Sequence, residues 1–197
     1  MTALSRYRTW SVMVLGLALS GCSSVSPALY TIAPVNGVEQ QHAAPKVIML
    51  QQLGLERYLE RSQIVRSSEN YRLDVMENDW WGEPLAAMLS RILVAELGQR
   101  LPQSTVISEV GAVSAPADAT ITLNVQRLDE DASGNVILQA QAGVSFKGRS
   151  TPVLRGFHFS IPPSSPGTPG EVAAISVAVG RLADGLTAML VAGPSGR

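Results

Sequence analysis

The sequence predicts a single α+β domain in which two amphipathic helices pack on one face of a mostly antiparallel sheet. The chain has 197 residues, enough for one domain or at most two small ones. Two stretches repeat apolar residues at spacings of three and four, which is typical of amphipathic helices. The remaining stretches alternate apolar and polar residues, which is typical of strands with one buried face.

Four strands are predicted before the first helix. The strongest candidate spans residues 45–55, and a weaker one precedes it at residues 29–32. Two short strands at residues 63–66 and 71–77 flank a polar four-residue turn, which predicts a hairpin. Alternate residues of its second strand, beginning with Tyr71, are expected to face the core.

The first helix is predicted to begin with Pro84 in its first turn, where proline is favoured. Glu83 would place negative charge at the positive end of the helix dipole. Pro102 is expected to end the helix. Its apolar stripe comprises Leu85, Met88, Leu89, Ile92, Leu93, Leu97 and Leu101.

The second half of the chain is predicted to continue with an antiparallel meander. Its strand candidates are residues 104–108, 119–129, 136–146 and 153–161. The acidic run at residues 129–131 is expected to be solvated in a turn.

The last helix follows a proline-rich loop at residues 162–170. Thr168-Pro169-Gly170-Glu171 has the pattern of a capping box, with proline at the first helical position. The predicted buried stripe comprises Val172, Ile175, Val179, Leu182, Leu186, Met189 and Leu190.

The N-terminal segment indicates a lipoprotein signal. Arg6 and Arg8 precede an apolar run at residues 10–19, which is shorter than the ~20 residues that a membrane-spanning helix needs. The following Leu19-Ser20-Gly21-Cys22 has the small residues that a lipoprotein signal peptidase requires. Cys22 is the only cysteine in the chain, although an ordinary signal peptide with an incidental cysteine is the alternative.

This division of the chain gives a signal peptide at residues 1–21, a lipidated tether at 22–28, a domain at 29–192 and a flexible tail at 193–197. Two or more acyl chains on the lipidated cysteine give stable anchoring. Because Ser23 rather than aspartate follows that cysteine, we expect the anchor to lie in the periplasmic face of a bacterial outer membrane.

The composition excludes several functional classes. Charged residues make up 16% of the chain and its net charge is -1, so neither disorder nor nucleic-acid binding is expected. One cysteine excludes a disulfide framework, and two histidines, His42 and His158, leave little for a metal site. No P-loop, G-x-S-x-G or H-E-x-x-H motif occurs, and we expect no metal and no cofactor.

Trp80, Trp81 and Glu83 are the candidate contact residues. Tryptophan is enriched at interaction hot spots and at membrane interfaces, so this segment could contact a partner or lipid. The alternative is structural, with one or both tryptophans stapling the start of the helix to the sheet.

The stretch at residues 53–85, LGLERYLERSQIVRSSENYRLDVMENDWWGEPL, resembles the ABC-type transport auxiliary lipoprotein family. The early Tyr30-Thr31-Ile32 is similar to the start of the domain in that family. The matching residues of the central stretch are Tyr58, Leu59, Arg61, Gln63, Ile64, Val65, Asn70, Trp81, Glu83, Pro84 and Leu85. The departures are Glu60 for aspartate, Ser62 for proline, Trp80 for arginine and Gly82 for alanine.

The resemblance implies a non-enzymatic outer-membrane lipoprotein that works with an MCE-domain protein and with an inner-membrane permease and ATPase. Such systems move phospholipids or other hydrophobic molecules between two membranes, and a homo-oligomer is conceivable. Two alternatives stay open. One is a structural or assembly lipoprotein that supports an outer-membrane protein, and the other is a periplasmic hydrolase that uses Ser145 or His158.

Overall fold

The computed structural model describes residues 26–41 and 44–193. The signal peptide, Cys22, His42 and residues 194–197 lie outside this range. The described strands are β1 (Ala28–Tyr30), β2 (Val47–Leu50), β3 (Gly54–Leu55), β4 (Gln63–Ser67), β5 (Asp74–Trp81), β6 (Thr105–Ser108), β7 (Ala119–Glu130), β8 (Val136–Phe146) and β9 (Val153–Ile161). The helices are α1 (Leu85–Arg100) and α2 (Thr168–Ala192), and a 3-10 turn spans Arg57–Leu59.

The long strand β7 organises the sheet. Along one edge it pairs antiparallel with β8, and β9 pairs antiparallel with β8 in turn. Its other edge receives β2, β3 and β4 one after another, all parallel to β7. Strand β6 lies beyond β2, and β5 and then β1 lie beyond β4.

The predicted α+β class is confirmed, with a mixed sheet. The predicted hairpin is the antiparallel pair β4–β5, and the predicted meander is confirmed for β7, β8 and β9. Strand β6 does not belong to that meander, because it pairs in parallel with β2. Among the described strands the two longest ladders, β7–β8 and β8–β9, are antiparallel, whereas most of the short ladders are parallel.

The predicted strand at residues 45–55 is divided into β2 and β3. Leu50 aligns with Ile121 and Gly54 with Asn124, so four steps along this segment match three steps along β7. The extra residue interrupts the ladder as a bulge does, and Leu53 turns into the core.

The β4–β5 hairpin begins its second strand later than predicted. Asn70 and Tyr71 adopt left-handed backbone conformations, with φ of 55° and 63°. Such a conformation cannot continue a strand, so β5 starts only at Asp74. Tyr71 and Leu73 are therefore exposed, contrary to the expectation that they face the core.

Helices α1 and α2 lie side by side on one face of the sheet. Both predicted apolar stripes are buried in a single core. Pro84 is the N-cap of α1 rather than a first-turn residue, and Trp80 and Trp81 are the last residues of β5. Among the described helices, α2 is long and apolar enough to cross a membrane by length and composition, but 67% of that stretch is buried within the domain.

The start of α2 differs from the predicted capping box. Gly167 is the N-cap, so proline occupies the second helical position. The Thr168 hydroxyl donates to a carboxylate oxygen of Asp79 instead of capping its own helix. Glu171, the expected reciprocal cap, is buried.

An extended segment at residues 31–41, which we call the strap, runs between the two helices. Helix side chains accept hydrogen bonds from its backbone amides, which meets the requirement that buried amides be paired. The amide of Ala33 donates to Ser176 Oγ (3.2 Å), that of Val35 to Glu96 Oε1 (2.7 Å) and that of Gly37 to Gln99 Oε1 (2.9 Å).

The guanidinium of Arg100 joins the strap to both helices. Its Nε donates to Asp184 of α2 at 2.6 Å, and Nη2 donates to the carbonyl of Gly180 at 3.0 Å. Its Nη1 donates to the carbonyl of Val35 in the strap at 3.2 Å. A Cβ at Gly37 would lie 2.3 Å from Arg100 Nε, so the strap requires glycine at this position.

Replacing Arg100 should destabilise the protein strongly. Arg100 Nη1 also lies 3.8 Å from Oε2 of the buried Glu96. Arg100→Leu would leave Glu96 without this cation and would release the Val35 carbonyl, so we expect the free energy of unfolding to fall by about 3 kcal/mol. Urea denaturation followed by circular dichroism would measure the change.

Arg91→Leu is the matched control, because Arg91 also lies on α1 and pairs with an acid, but on the surface. Its loss should cost less than about 1 kcal/mol. Equal effects of the two substitutions would show that the strap does not depend on the buried guanidinium.

Candidate functional site

The stretch that carries the family resemblance builds one groove at the start of α1, which we call the Trp81 groove. Its volume is ≈ 500 Å³. It is lined by Leu55, Glu60, Arg61, Ser62, Trp81, Gly82, Glu83, Pro84, Leu85 and Ala86. Two halves of that stretch, separated by the β4–β5 hairpin, thus meet in space.

Backbone hydrogen bonds fix the walls of the Trp81 groove. The amide of Trp81 donates to the carbonyl of Ser62 at 2.7 Å, which ties the end of β5 to the start of β4. The amide of Gly82 donates to the carbonyl of Tyr30 at 2.8 Å, which ties it to β1. The groove therefore lies where the N-terminal strand, the hairpin and α1 converge.

The two tryptophans have different surroundings. Trp81 is 7% exposed and belongs to the core. This burial is what the structural alternative requires, in which a tryptophan packs the start of the helix against the sheet. Trp80 is only partly buried, and its indole Nε1 donates to the carbonyl of Glu77 at 2.9 Å. In the parallel pairing of β1 with β5, Leu29 is the neighbour of Trp80 and Tyr30 that of Trp81.

Glu83 lies at the rim of the Trp81 groove and pairs with Arg91. Its Oε1 accepts a hydrogen bond from Arg91 Nε at 3.1 Å, and both side chains are substantially exposed. The pair therefore adds little stability. With Glu60 and Arg61 also exposed, a rim of mixed charge surrounds an apolar floor, a pattern found at protein–protein contacts.

A second polar cluster centres on Asp129, which is fully buried. Its two carboxylate oxygens accept hydrogen bonds from the hydroxyl of Tyr58 at 2.8 Å and from Nε of Arg127 at 2.7 Å. Arg127 also donates to Glu69 at 2.7 Å. These bonds occupy both oxygens, so the cluster ties the 3-10 turn and the hairpin to β7.

The expectation that residues 129–131 are solvated is wrong for Asp129. The register of β7 against β8 shifts between Val125 and Arg127, so the alternation of inward and outward residues reverses there. Asp129 then faces away from the helices, but Tyr58 covers it. Its partner Tyr58 is 71 residues away, so no local pattern could have indicated the contact.

The candidate hydrolase residues do not form a catalytic pair. Ser145 and His158 are both exposed. His158 is the register partner of Gln139, six residues along β8 from Ser145, a separation of roughly 20 Å. Nor do the described histidines and acids gather into a group of three that could hold a metal ion.

Glu171 is a buried acid in the first turn of α2. It is 1% exposed, and its Oε1 has no hydrogen-bond partner among the described residues. Burial is the largest cause that raises the pKa of Glu171 to about 8; the carboxylates of Glu130, Asp129 and Asp79 contribute to the rise, and Arg66 opposes it. At neutral pH the side chain is therefore mainly protonated.

The proton on Glu171 makes stability depend on pH. Below its ordinary pKa of 4.5 the group is protonated in both states. Between 4.5 and about 8 the unfolded chain ionises while the folded protein keeps the proton, so the free energy of unfolding falls as pH rises. Glu171→Gln should remove this loss, so its free energy of unfolding relative to wild type should be about 4 kcal/mol higher at pH 8 than at pH 4.5.

Chemical denaturation at the two pH values would measure this gain. Glu56→Gln provides the matched control, because Glu56 is exposed and the same substitution should change both values little. An equal effect of Glu171→Gln at the two pH values would contradict the buried, protonated state of this carboxyl.

Comparisons with known proteins agree with this architecture. The model of the family described as the ABC-type transport auxiliary lipoprotein component matches residues 30–186, from β1 into α2. Over 147 residues the chain is 26% identical to the intermembrane transport lipoprotein PqiC of Escherichia coli (strain K12), covering 72% of this chain and 76% of that protein. The protein of the same name from Shigella flexneri gives the same values.

Two crystal structures share the fold. A protein described as uncharacterised superposes with a TM-score of 0.69 at 18% identity, covering 83% of this chain and 97% of that one. A Xanthomonas campestris protein superposes with a TM-score of 0.68 at 16% identity, covering 81% and 92% respectively. Since the family model spans most of the described domain, the chain belongs to the ABC-type transport auxiliary lipoprotein family, a transport-associated group of lipoproteins.

Proposed function

We propose that the chain is a non-enzymatic auxiliary subunit that docks an intermembrane lipid transport system to the outer membrane from the periplasmic side. Its partner is the MCE-domain protein of that system, and its cargo class is phospholipids or other hydrophobic molecules. The intermembrane transport lipoprotein PqiC, whose sequence is similar to this chain, supports the assignment to this kind of system.

The observation that carries the proposal is the position of the Trp81 groove relative to the N-terminus. Cys22, the proposed lipid attachment site, precedes β1 by only six residues, a reach of at most ~22 Å. Strand β1 itself forms part of the support of the groove through the Gly82–Tyr30 hydrogen bond. A partner seated in the groove is thereby held close to the membrane that carries the anchor.

The strap makes this placement rigid. Residues 31–41 follow β1 directly and are bonded to both helices, so the anchored end of the chain has little freedom relative to the groove. Rigid attachment suits a docking subunit, because a partner that spans the periplasm must meet the outer membrane at a fixed position.

Self-association is part of the proposal. Strand β9 pairs only with β8 in the described sheet, so its other edge over Val153–Ile161 is free of a strand neighbour. Leu154 on this strand is 75% exposed. An exposed edge of this kind offers a contact for a second copy, and a multimeric partner would be matched by several copies.

In-cell photo-crosslinking of the full-length lipoprotein tests the docking role. A photo-reactive amino acid at the position of Arg61, on the rim of the Trp81 groove, should capture the MCE-domain protein. The matched control is the same amino acid at Gln141, which is exposed on the opposite face of the sheet and should capture far less. Cys22→Ala should abolish the capture, because the variant lacks its lipid attachment site.

The alternative outcomes discriminate between the candidate roles. Recovery of a β-barrel protein in place of the MCE-domain protein would support an assembly role and overturn the transport assignment. Equal capture from positions 61 and 141 would contradict the Trp81 groove as the contact. A loss of function in Ser145→Ala or His158→Ala without unfolding would contradict the non-enzymatic assignment.

A further inference from the structure

Leu29 and Trp80 lie side by side at the outer edge of the sheet. Strand β1 pairs only with β5 in the described chain, and its parallel register aligns Leu29 with Trp80. Aligned neighbours on adjacent strands project from the same face. Leu29 is 68% exposed, and Trp80 presents part of its ring to solvent.

The exposed part of Trp80 is suited to an environment poorer in water. Its only polar atom, Nε1, already donates to the carbonyl of Glu77 at 2.9 Å. The ring can therefore leave bulk water without losing a hydrogen bond. Tryptophan and tyrosine are the side chains enriched at the headgroup level of a bilayer.

Two of the acids close to this pair have partners within the protein. Asp79, next to Trp80 in β5, accepts the hydroxyl of Thr168. Glu83, at the rim of the neighbouring groove, is paired with Arg91. These contacts lower the desolvation free energy of bringing the Leu29–Trp80 pair, which we call the Leu29–Trp80 corner, to a lipid surface.

The short tether indicates that the Leu29–Trp80 pair faces the membrane. Leu29 is seven residues from Cys22, so it lies within ~25 Å of the proposed lipid attachment site. The other large apolar side chain exposed in the described part of the N-terminal region, Val38, lies past the far end of α1, where the backbone amide of Gln40 donates to the carbonyl of Arg100. The tether thus brings the Leu29–Trp80 corner to the membrane first.

We propose that Leu29 and Trp80 form a bilayer-docking surface that rests among the lipid headgroups of the membrane holding the anchor. This inference rests on the proposed function in one respect, because it takes Cys22 as the site of lipidation. Contact at the corner gives the domain a second point of attachment beside the flexible lipid. The surface then determines which face of the domain points into the periplasm.

Tryptophan fluorescence tests the surface directly. Trp10 lies in the signal peptide, so the mature lipoprotein carries only Trp80 and Trp81. The mature lipoprotein would be reconstituted in phosphatidylethanolamine and phosphatidylglycerol vesicles with and without lipids brominated near the headgroup end of the acyl chain. The bromolipids should quench the wild-type emission, and Trp80→Phe should abolish that quenching.

Trp81→Phe is the matched variant, since it leaves Trp80 as the sole fluorophore and should retain the quenching. Trp81 is buried, and if this variant does not fold, the comparison of wild type with Trp80→Phe decides the question alone. Leu29→Ser should reduce the quenching, because it removes the apolar neighbour of Trp80.

Vesicle flotation of the same samples separates the possible failures. Protein that floats with the vesicles but shows no quenching at Trp80 would overturn the docking surface while leaving the anchor intact. Protein that does not float would overturn both the anchor and this inference. Quenching at Trp80 without capture of an MCE-domain protein in cells would support the surface and contradict the proposed partner.

Discussion

The arrangement of the N-terminal segment and the two helices depends on the buried guanidinium of Arg100. A buried cation is expensive unless its N–H groups are bonded and its charge is matched. Here the N–H groups bond to the strap carbonyl of Val35, to the α1 carbonyl of Glu96 and to the α2 carbonyl of Gly180. Asp184 supplies the nearest opposite charge, with Arg100 Nε 2.6 Å from its Oδ1. One side chain therefore satisfies groups on three segments that are distant in sequence.

This contact also determines how the N-terminal segment is held on the domain. The strap is an extended segment without a partner strand, so its backbone depends on side chains of α1 and α2 for hydrogen bonds. Removing Arg100 would loosen the strap and the angle between the helices together. The N-terminal strand would then gain freedom relative to the helices, and the orientation of the Trp81 groove relative to this strand would no longer be fixed by the fold.

The features predicted correctly are those that depend on neighbours close in sequence. Both helical stripes and the β7–β8–β9 part of the predicted meander follow from spacings of two, three and four residues, and the structure confirms them. The parallel pairings of β2, β3 and β4 with β7 were not predicted, because such pairings join distant segments and leave no turn signal. The mixed sheet is therefore visible only in the structure.

The features of the candidate site were likewise predicted only where they depend on residues close in sequence. The resemblance identified the segments that build the Trp81 groove. It did not indicate that the carbonyls of Ser62 and Tyr30 accept hydrogen bonds from the adjacent amides of Trp81 and Gly82. Arg100 and Asp129 were missed as buried groups, because Arg100 pairs with Asp184 across 84 residues and Asp129 with Tyr58 across 71. The helical stripe of α1 does place Arg100 three residues after Leu97, which is the one local signal that could have indicated its burial.

The alternation of a β-strand gives the two adjacent tryptophans separate roles. Successive side chains of β5 point to opposite faces, so Trp81 enters the core beneath the groove while Trp80 emerges beside Leu29. The backbone that joins them is bonded to β1 on one side and to Ser62 on the other. A displacement of Trp80 would therefore move the floor of the Trp81 groove as well. The proposed membrane contact and the proposed partner contact would thus be coupled through the peptide unit that joins Trp80 to Trp81.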